Sequence, residues 1–129
     1  MKKIALDTNV AIALLNGNSE IVTIIQSFDS IYLPITVCGE LLYGAKNSAK
    51  SKTNLEFYRN FINACAILDT NAIVADEYSD IRLELKSKGN PIPENDIWIA
   101  ALCRAYGIPL YTLDRHFANI SNLNIFSLI

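Results

Sequence analysis

Histidine and cysteine are scarce in this chain: one His and three Cys in 129 residues. Cys38, Cys65 and Cys103 are widely spaced, odd in number and set among apolar neighbours, with no CxxC or Cys/His cluster. That leaves zinc without a ligand set and reads as buried, reduced thiols. Long apolar runs are missing too. Val10 to Leu15 falls far short of the ~20 residues that span a bilayer. The basic start Met1-Lys-Lys is followed by only three apolar residues before Asp7 and Asn9, too few for a signal peptide, so the expected location is the cytoplasm, with no membrane partner. Nor does either charge dominate. Eleven Lys+Arg stand against 13 Asp+Glu, a formal net charge of -2, which argues against a protein that coats nucleic acid through a broadly basic surface. There is no repeat, low-complexity tract or linker.

What the chain has is apolar residues, 51% of the total, too many for a disordered segment and enough at this length for one compact domain over residues 1–129. Short apolar runs at Lys3–Leu6, Ser30–Leu33, Ala66–Leu68, Pro109–Leu113 and Asn124–Phe126 lack a polar face, the pattern of strands buried on both sides. Helical patterns lie between them: Thr8–Leu15, Ser19–Ser27, Thr36–Lys46, Asn54–Asn63, Ala72–Lys88 and Glu94–Tyr106. Gly89 reads as a helix stop and Pro93 as the start of the next helix. The polar stretch Lys46–Lys52 reads as a surface connection between two helices. Strands alternating with helices imply an α/β fold, a mostly parallel sheet of about five short strands with helices on both faces.

In such a sheet ligands bind beyond the carboxyl ends of the strands, and four carboxylates fall there. Asp7 follows the first strand directly and Asp114 follows Leu110–Leu113; each reads equally well as a helix N-cap. Asp96 lies in the first turn of a helix, where the helix dipole alone favours an acid. Glu40 is different. It sits about a turn into an otherwise apolar helix, with no basic residue between Lys3 and Lys46, and on a buried face it would need a partner or a metal. Four acids converging on one pocket repel one another unless a cation is present, and all-oxygen ligands suit Mg²⁺ or Mn²⁺, with no His or Cys competing for a softer metal. The chemistry such a site points to is metal-assisted phosphodiester hydrolysis.

The segments Leu6-Asp7-Thr8-Asn9, the Glu40 helix, Asn95-Asp96-Ile97-Trp98-Ile99-Ala100-Ala101 and Thr112-Leu113-Asp114-Arg115-His116-Phe117 carry a resemblance. In order and spacing they are similar to PIN-domain ribonucleases, and in particular to VapC-type toxins of toxin–antitoxin pairs, over nearly the whole chain. The resemblance implies an endoribonuclease in which Asp7, Glu40, Asp96 and Asp114 hold Mg²⁺ or Mn²⁺ and Asn9 and Thr112 support the metal or its water shell. It implies in-line attack by water that leaves a 5′-phosphate and a 3′-hydroxyl on structured RNA such as tRNA. It also implies a homodimer silenced by a cognate VapB-like antitoxin.

A metal-independent ribonuclease would want a pair of acid–base groups, usually histidines, and only His116 is present, read as a surface or capping residue with a phosphate contact as its other reading. Arg115, Lys86 and Lys88 are the candidate contacts to RNA phosphates, against a plain solvated face. Trp98, flanked by Ile97 and Ile99, reads as core. Haloacid-dehalogenase-like phosphatases would need Asp where Asn9 stands, and receiver domains an adjacent acidic pair after the first strand. The remaining rival is a non-catalytic PIN-like module that binds RNA or protein.

Overall fold

In the computed structural model, which describes residues 2–126, five parallel strands form one sheet: β1 (Lys3–Leu6), β2 (Ser30–Pro34), β3 (Ala66–Leu68), β4 (Leu110–Tyr111) and β5 (Ile125–Phe126), in the order β3-β2-β1-β4-β5. Six helices join them: α1 (Thr8–Leu15), α2 (Ser19–Ile25), α3 (Ile35–Lys46), α4 (Ser51–Ala64), α5 (Ala72–Lys88) and α6 (Glu94–Tyr106), with a 3₁₀ helix over Arg115–Asn119. The expected α/β architecture is present. The strand order reverses between β1 and β4. From β1 the chain steps to β2 and β3 on one side, then returns through α5 and α6 to β4 on the other, and right-handed crossovers place the two sets of helices on opposite faces.

The centre of the sheet is where burial is complete. Ile4, Ala5 and Leu6 are fully buried, as are Leu33, Leu110 and, from the 3₁₀ helix, Phe117. Each such aliphatic or aromatic side chain contributes about 1.5–3 kcal/mol through removal from water. Burial on both faces does not extend to the edge: Ala66 and Ile67 of β3 are exposed. The run Pro109–Leu113 also yields a strand of only two residues, because Thr112 and Leu113 leave the sheet as the chain turns toward the site. The polar connection is shorter than Lys46–Lys52, since Ser51 and Lys52 already belong to α4.

Helix ends follow local chemistry. The Asn71 side chain accepts from Val74 N–H at 3.0 Å to start α5, and Gly89, at φ 68°, ends it in the left-handed conformation that glycine adopts without strain. Asn90 N–H then bonds back to the Leu85 carbonyl at 3.0 Å, closing the last turn. Two residues beyond Pro91, Pro93 sets the entry to α6 and so the position of Asp96 in its first turn.

Candidate active site

The reversal point between β1 and β4 is bridged by side chains. Asp7 N–H bonds to the Tyr111 carbonyl at 3.0 Å, continuing the ladder one step past both strands. Thr112 Oγ1 donates to Asp7 Oδ2 at 2.7 Å and accepts from Asp114 N–H at 3.0 Å. One hydroxyl thus ties the Asp7 carboxylate to the backbone of Asp114 across the reversal. Asp7 Oδ1 accepts from Thr8 N–H at 2.8 Å and Asp114 Oδ1 from His116 N–H at 3.0 Å, so each acid also caps the turn that follows it. Capping does not exclude clustering: Asp7 caps with Oδ1 and meets Thr112 with Oδ2, whereas Asp114 Oδ1 both caps and faces His116.

Asp7 is the one buried charged residue among those described, 5% exposed, and no basic group pairs with it. Burial pushes its proton affinity up; the Thr112 and Thr8 bonds oppose the rise and the charge of Asp114 adds to it. Burial likewise raises Glu40 and Asp96, and both rise further beside Asp7. Asp96 also feels Asp114, and Glu40 feels Asp96. The four acids form one mutually repelling set. Glu40 Oε1 is buried without a hydrogen-bond partner, as is Thr8 Oγ1; the nearby hydroxyl tempers the Glu40 rise without forming a well-made bond. A buried carboxylate oxygen left unpaired among like charges is a position that a cation would stabilise.

As a surface residue should, His116 has half of its side chain exposed. Its Nδ1 nevertheless lies 3.1 Å from Asp114 Oδ1 and 3.6 Å from Asp96 Oδ2. Asp96, Asp114 and His116 each offer one ligand atom within 4.8 Å of the others, a spacing that can hold a metal ion. An imidazole thus stands beside the all-oxygen set expected from the sequence.

A family model for the PIN domain matches residues 4–123. The chain belongs to the PIN domain family. It is 33% identical over 112 residues to ribonuclease VapC2 of Haemophilus influenzae, covering 85% of each chain, and 29% identical over 128 residues to the tRNA(fMet)-specific endonuclease VapC of Shigella flexneri, covering 95% of this chain and 96% of that one. Among solved structures it superposes on VapBC2 of Rickettsia felis bound to a promoter DNA fragment with a TM-score of 0.88 at 27% identity, covering 96% of this chain and 97% of the other. For DNA-bound VapBC of Salmonella typhimurium the TM-score is 0.86 at 29% identity, with 98% of each chain covered.

Around the acids of this PIN domain the other expected residues fall in different places. Asn9 is exposed in the first turn of α1. Arg115 is exposed beside Asp114, and Lys86 lines a cavity of about 420 Å³ between α5 and α6 together with Arg82, Pro91 and Glu94. Lys88 instead donates to Glu84 at 3.0 Å and to the Asn119 carbonyl at 2.9 Å. Glu84 also accepts from Ser121 N–H at 2.8 Å and from Ser121 Oγ at 2.5 Å, while Arg104 donates to the Ser121 carbonyl at 3.0 Å and to Glu77 at 2.8 Å. Lys88, Glu84 and Arg104 thereby clamp the far end of the 3₁₀ helix, and Phe117, fully buried, pins its middle. That anchoring holds Asp114 and His116 in place. Trp98 stacks on Tyr78 with ring centroids 4.0 Å apart and packs against the core. The cysteines are free thiols; Cys38 and Cys103 are buried, and burial pushes Cys65 up to about 11. No helix among the described residues is long and apolar enough to cross a membrane.

Proposed function

We propose that this PIN domain is an endoribonuclease toxin of the VapC type, cutting RNA phosphodiester bonds at the Asp7, Glu40, Asp96 and Asp114 cluster. The observation that carries the reading is the set of mutually repelling carboxylates at the strand-reversal point, Asp7 buried and Glu40 Oε1 without a hydrogen-bond partner. The relatives named ribonuclease VapC2 and tRNA(fMet)-specific endonuclease VapC support RNA as the substrate, with structured RNA such as tRNA favoured. The VapBC complexes on which the chain superposes support a VapB-like antitoxin as partner, and the working form we propose is a homodimer.

The donor set fits a hard divalent cation, Mg²⁺ or Mn²⁺, because it is rich in carboxylate oxygen and its proton affinities are raised by burial and like charge. His116 Nδ1 would favour Mn²⁺ over Mg²⁺ where it ligates. When bound, the ion supplies Lewis-acid polarisation of the phosphate and a more acidic water. The chain's own groups do the rest. Thr112 fixes the Asp7 carboxylate by its 2.7 Å bond and, through Asp114 N–H, the turn that carries Asp114. Asp7 and Glu40, with protons held more firmly than ordinary carboxyls, release them on binding a cation, so activity rises with pH through their titration. Asn9 would support the metal's water shell, and Arg115 and Lys86 are the basic groups we assign to RNA phosphates.

Single substitutions Asp7→Asn, Glu40→Gln, Asp96→Asn and Asp114→Asn test this on purified protein and total tRNA. Each is expected to cut the cleavage rate about 100-fold or more. A variant that retains full activity removes its residue from the site, and full activity in all four overturns the reading.

A further inference from the structure

A second feature adjoins the acid cluster. Thr36, Gly39, Glu40 and Tyr43 follow one another on α3 at the spacing that puts them on a single stripe of the helix, and with Asn95 they line a cavity of about 330 Å³. Tyr43 stands one helical turn beyond Glu40, with 70% of its surface exposed. Asn95 precedes Asp96 in the first turn of α6, so the cavity opens from the acid site itself. Of the three buried side-chain polar atoms without partners among the described residues, two, Thr36 Oγ1 and Glu40 Oε1, belong to this stripe. Gly39 is the third unusual element. In a helix interior glycine is unfavourable relative to alanine, yet a Cβ here would meet no atom within 4 Å, so packing does not require it. Its effect is to leave the floor of the cavity bare.

We propose that this stripe is a nucleobase subsite, in which Tyr43 stacks on one unpaired base of the RNA next to the scissile phosphate and Asn95 and Thr36 bond to its edge. This rests on the ribonuclease reading and adds to it a specificity-determining contact. A flat aromatic ring at a site's rim, with amide and hydroxyl groups beside it, matches the way single-stranded bases are held: stacking supplies affinity for any base and hydrogen bonds choose among them. An intact duplex offers no free base face to such a ring, so the scissile bond lies in a loop or bulge.

The test uses the full chain with Tyr43→Ala, Tyr43→Phe and Gly39→Leu, and two readouts on a fluorescently labelled, mixed-sequence single-stranded oligoribonucleotide: binding by anisotropy with Ca²⁺ present, and cleavage with Mn²⁺. Tyr43→Ala is expected to weaken binding and kcat/KM about 5- to 150-fold, the range of one lost stack. Tyr43→Phe keeps the ring face and stays within about 2-fold, and Gly39→Leu, which fills the cavity with a good helix former, matches the Ala variant without loss of thermal stability. The Mn²⁺-induced rise in Tm is unchanged in all three. Wild-type binding and cleavage by Tyr43→Ala overturn the subsite and leave the ribonuclease reading standing. Wild-type chain that binds RNA through Tyr43 but never cleaves it does the reverse. Sedimentation of Tyr43→Ala as a monomer where the wild type is a dimer assigns the ring to a protein interface and also overturns the proposal.

Discussion

Replacing Asp7 by asparagine separates what the site does for the fold from what it does for a metal. The substitution keeps the hydrogen bonds: the amide oxygen still accepts from Thr8 N–H, and the amide nitrogen donates to Thr112 Oγ1, whose second lone pair continues to accept from Asp114 N–H. What it removes is a charge 5% exposed, unpaired by any basic group and felt by both Glu40 and Asp96. Metal-free Asp7→Asn protein is therefore more stable than wild type, by about 0.5–2 kcal/mol, the usual gain when a strained functional site is relaxed. For a chain of 129 residues this raises Tm by about 2–10 °C. Mn²⁺ at 100 times its Kd stabilises the wild type by about 2.7 kcal/mol, or about 8–13 °C, and the variant loses most of that gain. The order of stability thus inverts between chelated and Mn²⁺-loaded samples. Thermal fluorimetry on metal-stripped protein with and without Mn²⁺ reads it directly. A variant less stable than wild type without metal, or one that gains as much from Mn²⁺, refutes the reasoning.

Three further outcomes follow from the same contacts. The raised proton affinities of Asp7, Glu40 and Asp96 favour their protonated forms in the folded state, so their contribution to metal-free stability is present below the ordinary carboxyl range of 3.8–4.5 and is lost as pH climbs through the raised values. Metal-free Tm therefore carries a component that falls as pH rises from that range toward neutrality, and the component is smaller in Asp7→Asn. Glu84 has the opposite sign: burial opposes it, but the Ser121 hydroxyl and N–H and Lys88 win and hold it at about 2, so the stability it lends is present above about 4.5 and is lost as pH falls toward 2. Glu84→Gln costs about 1–2 kcal/mol at neutral pH, a figure already reduced for solvent screening, and flattens that acid limb in a pH series of urea melts. Thr112→Val leaves Asp7 Oδ2 and Asp114 N–H without their shared partner, costing about 1–3 kcal/mol and about 10- to 100-fold in Mn²⁺ affinity by calorimetric titration.

The fold was legible wherever periodicity and punctuation agree. Ile4, Ala5 and Leu6 form an unbroken apolar run that only a central strand accommodates, and α5 is bracketed by Asn71 and Gly89, residues that cap by mechanism. Apolarity misled at the edges, since Ala66 and Ile67 look as apolar as β1 but have no second layer over them. The four acids were legible as candidates because Asp7 and Asp114 follow strands, Asp96 lies in the first turn of α6 and Glu40 stands within a turn or two of the start of an otherwise apolar helix. His116 was not, because its place depends on a 3₁₀ turn: the Asp-x-His spacing after a capping aspartate brings the ring back onto that carboxylate, a geometry apolar periodicity does not report. The fate of Lys88 was equally hidden, since Glu84 is a helical neighbour but the Asn119 carbonyl lies 31 residues away in sequence.

The central claim is that clustered carboxylates hydrolyse RNA with a divalent ion and without help from the 2′-hydroxyl. Mapping the ends of RNA cut by the purified chain, with Mg²⁺ or Mn²⁺ and again in excess EDTA, tests it in one measurement. The account predicts 5′-phosphate and 3′-hydroxyl ends that vanish with the chelator; 2′,3′-cyclic phosphates, or cleavage that survives EDTA, would contradict it.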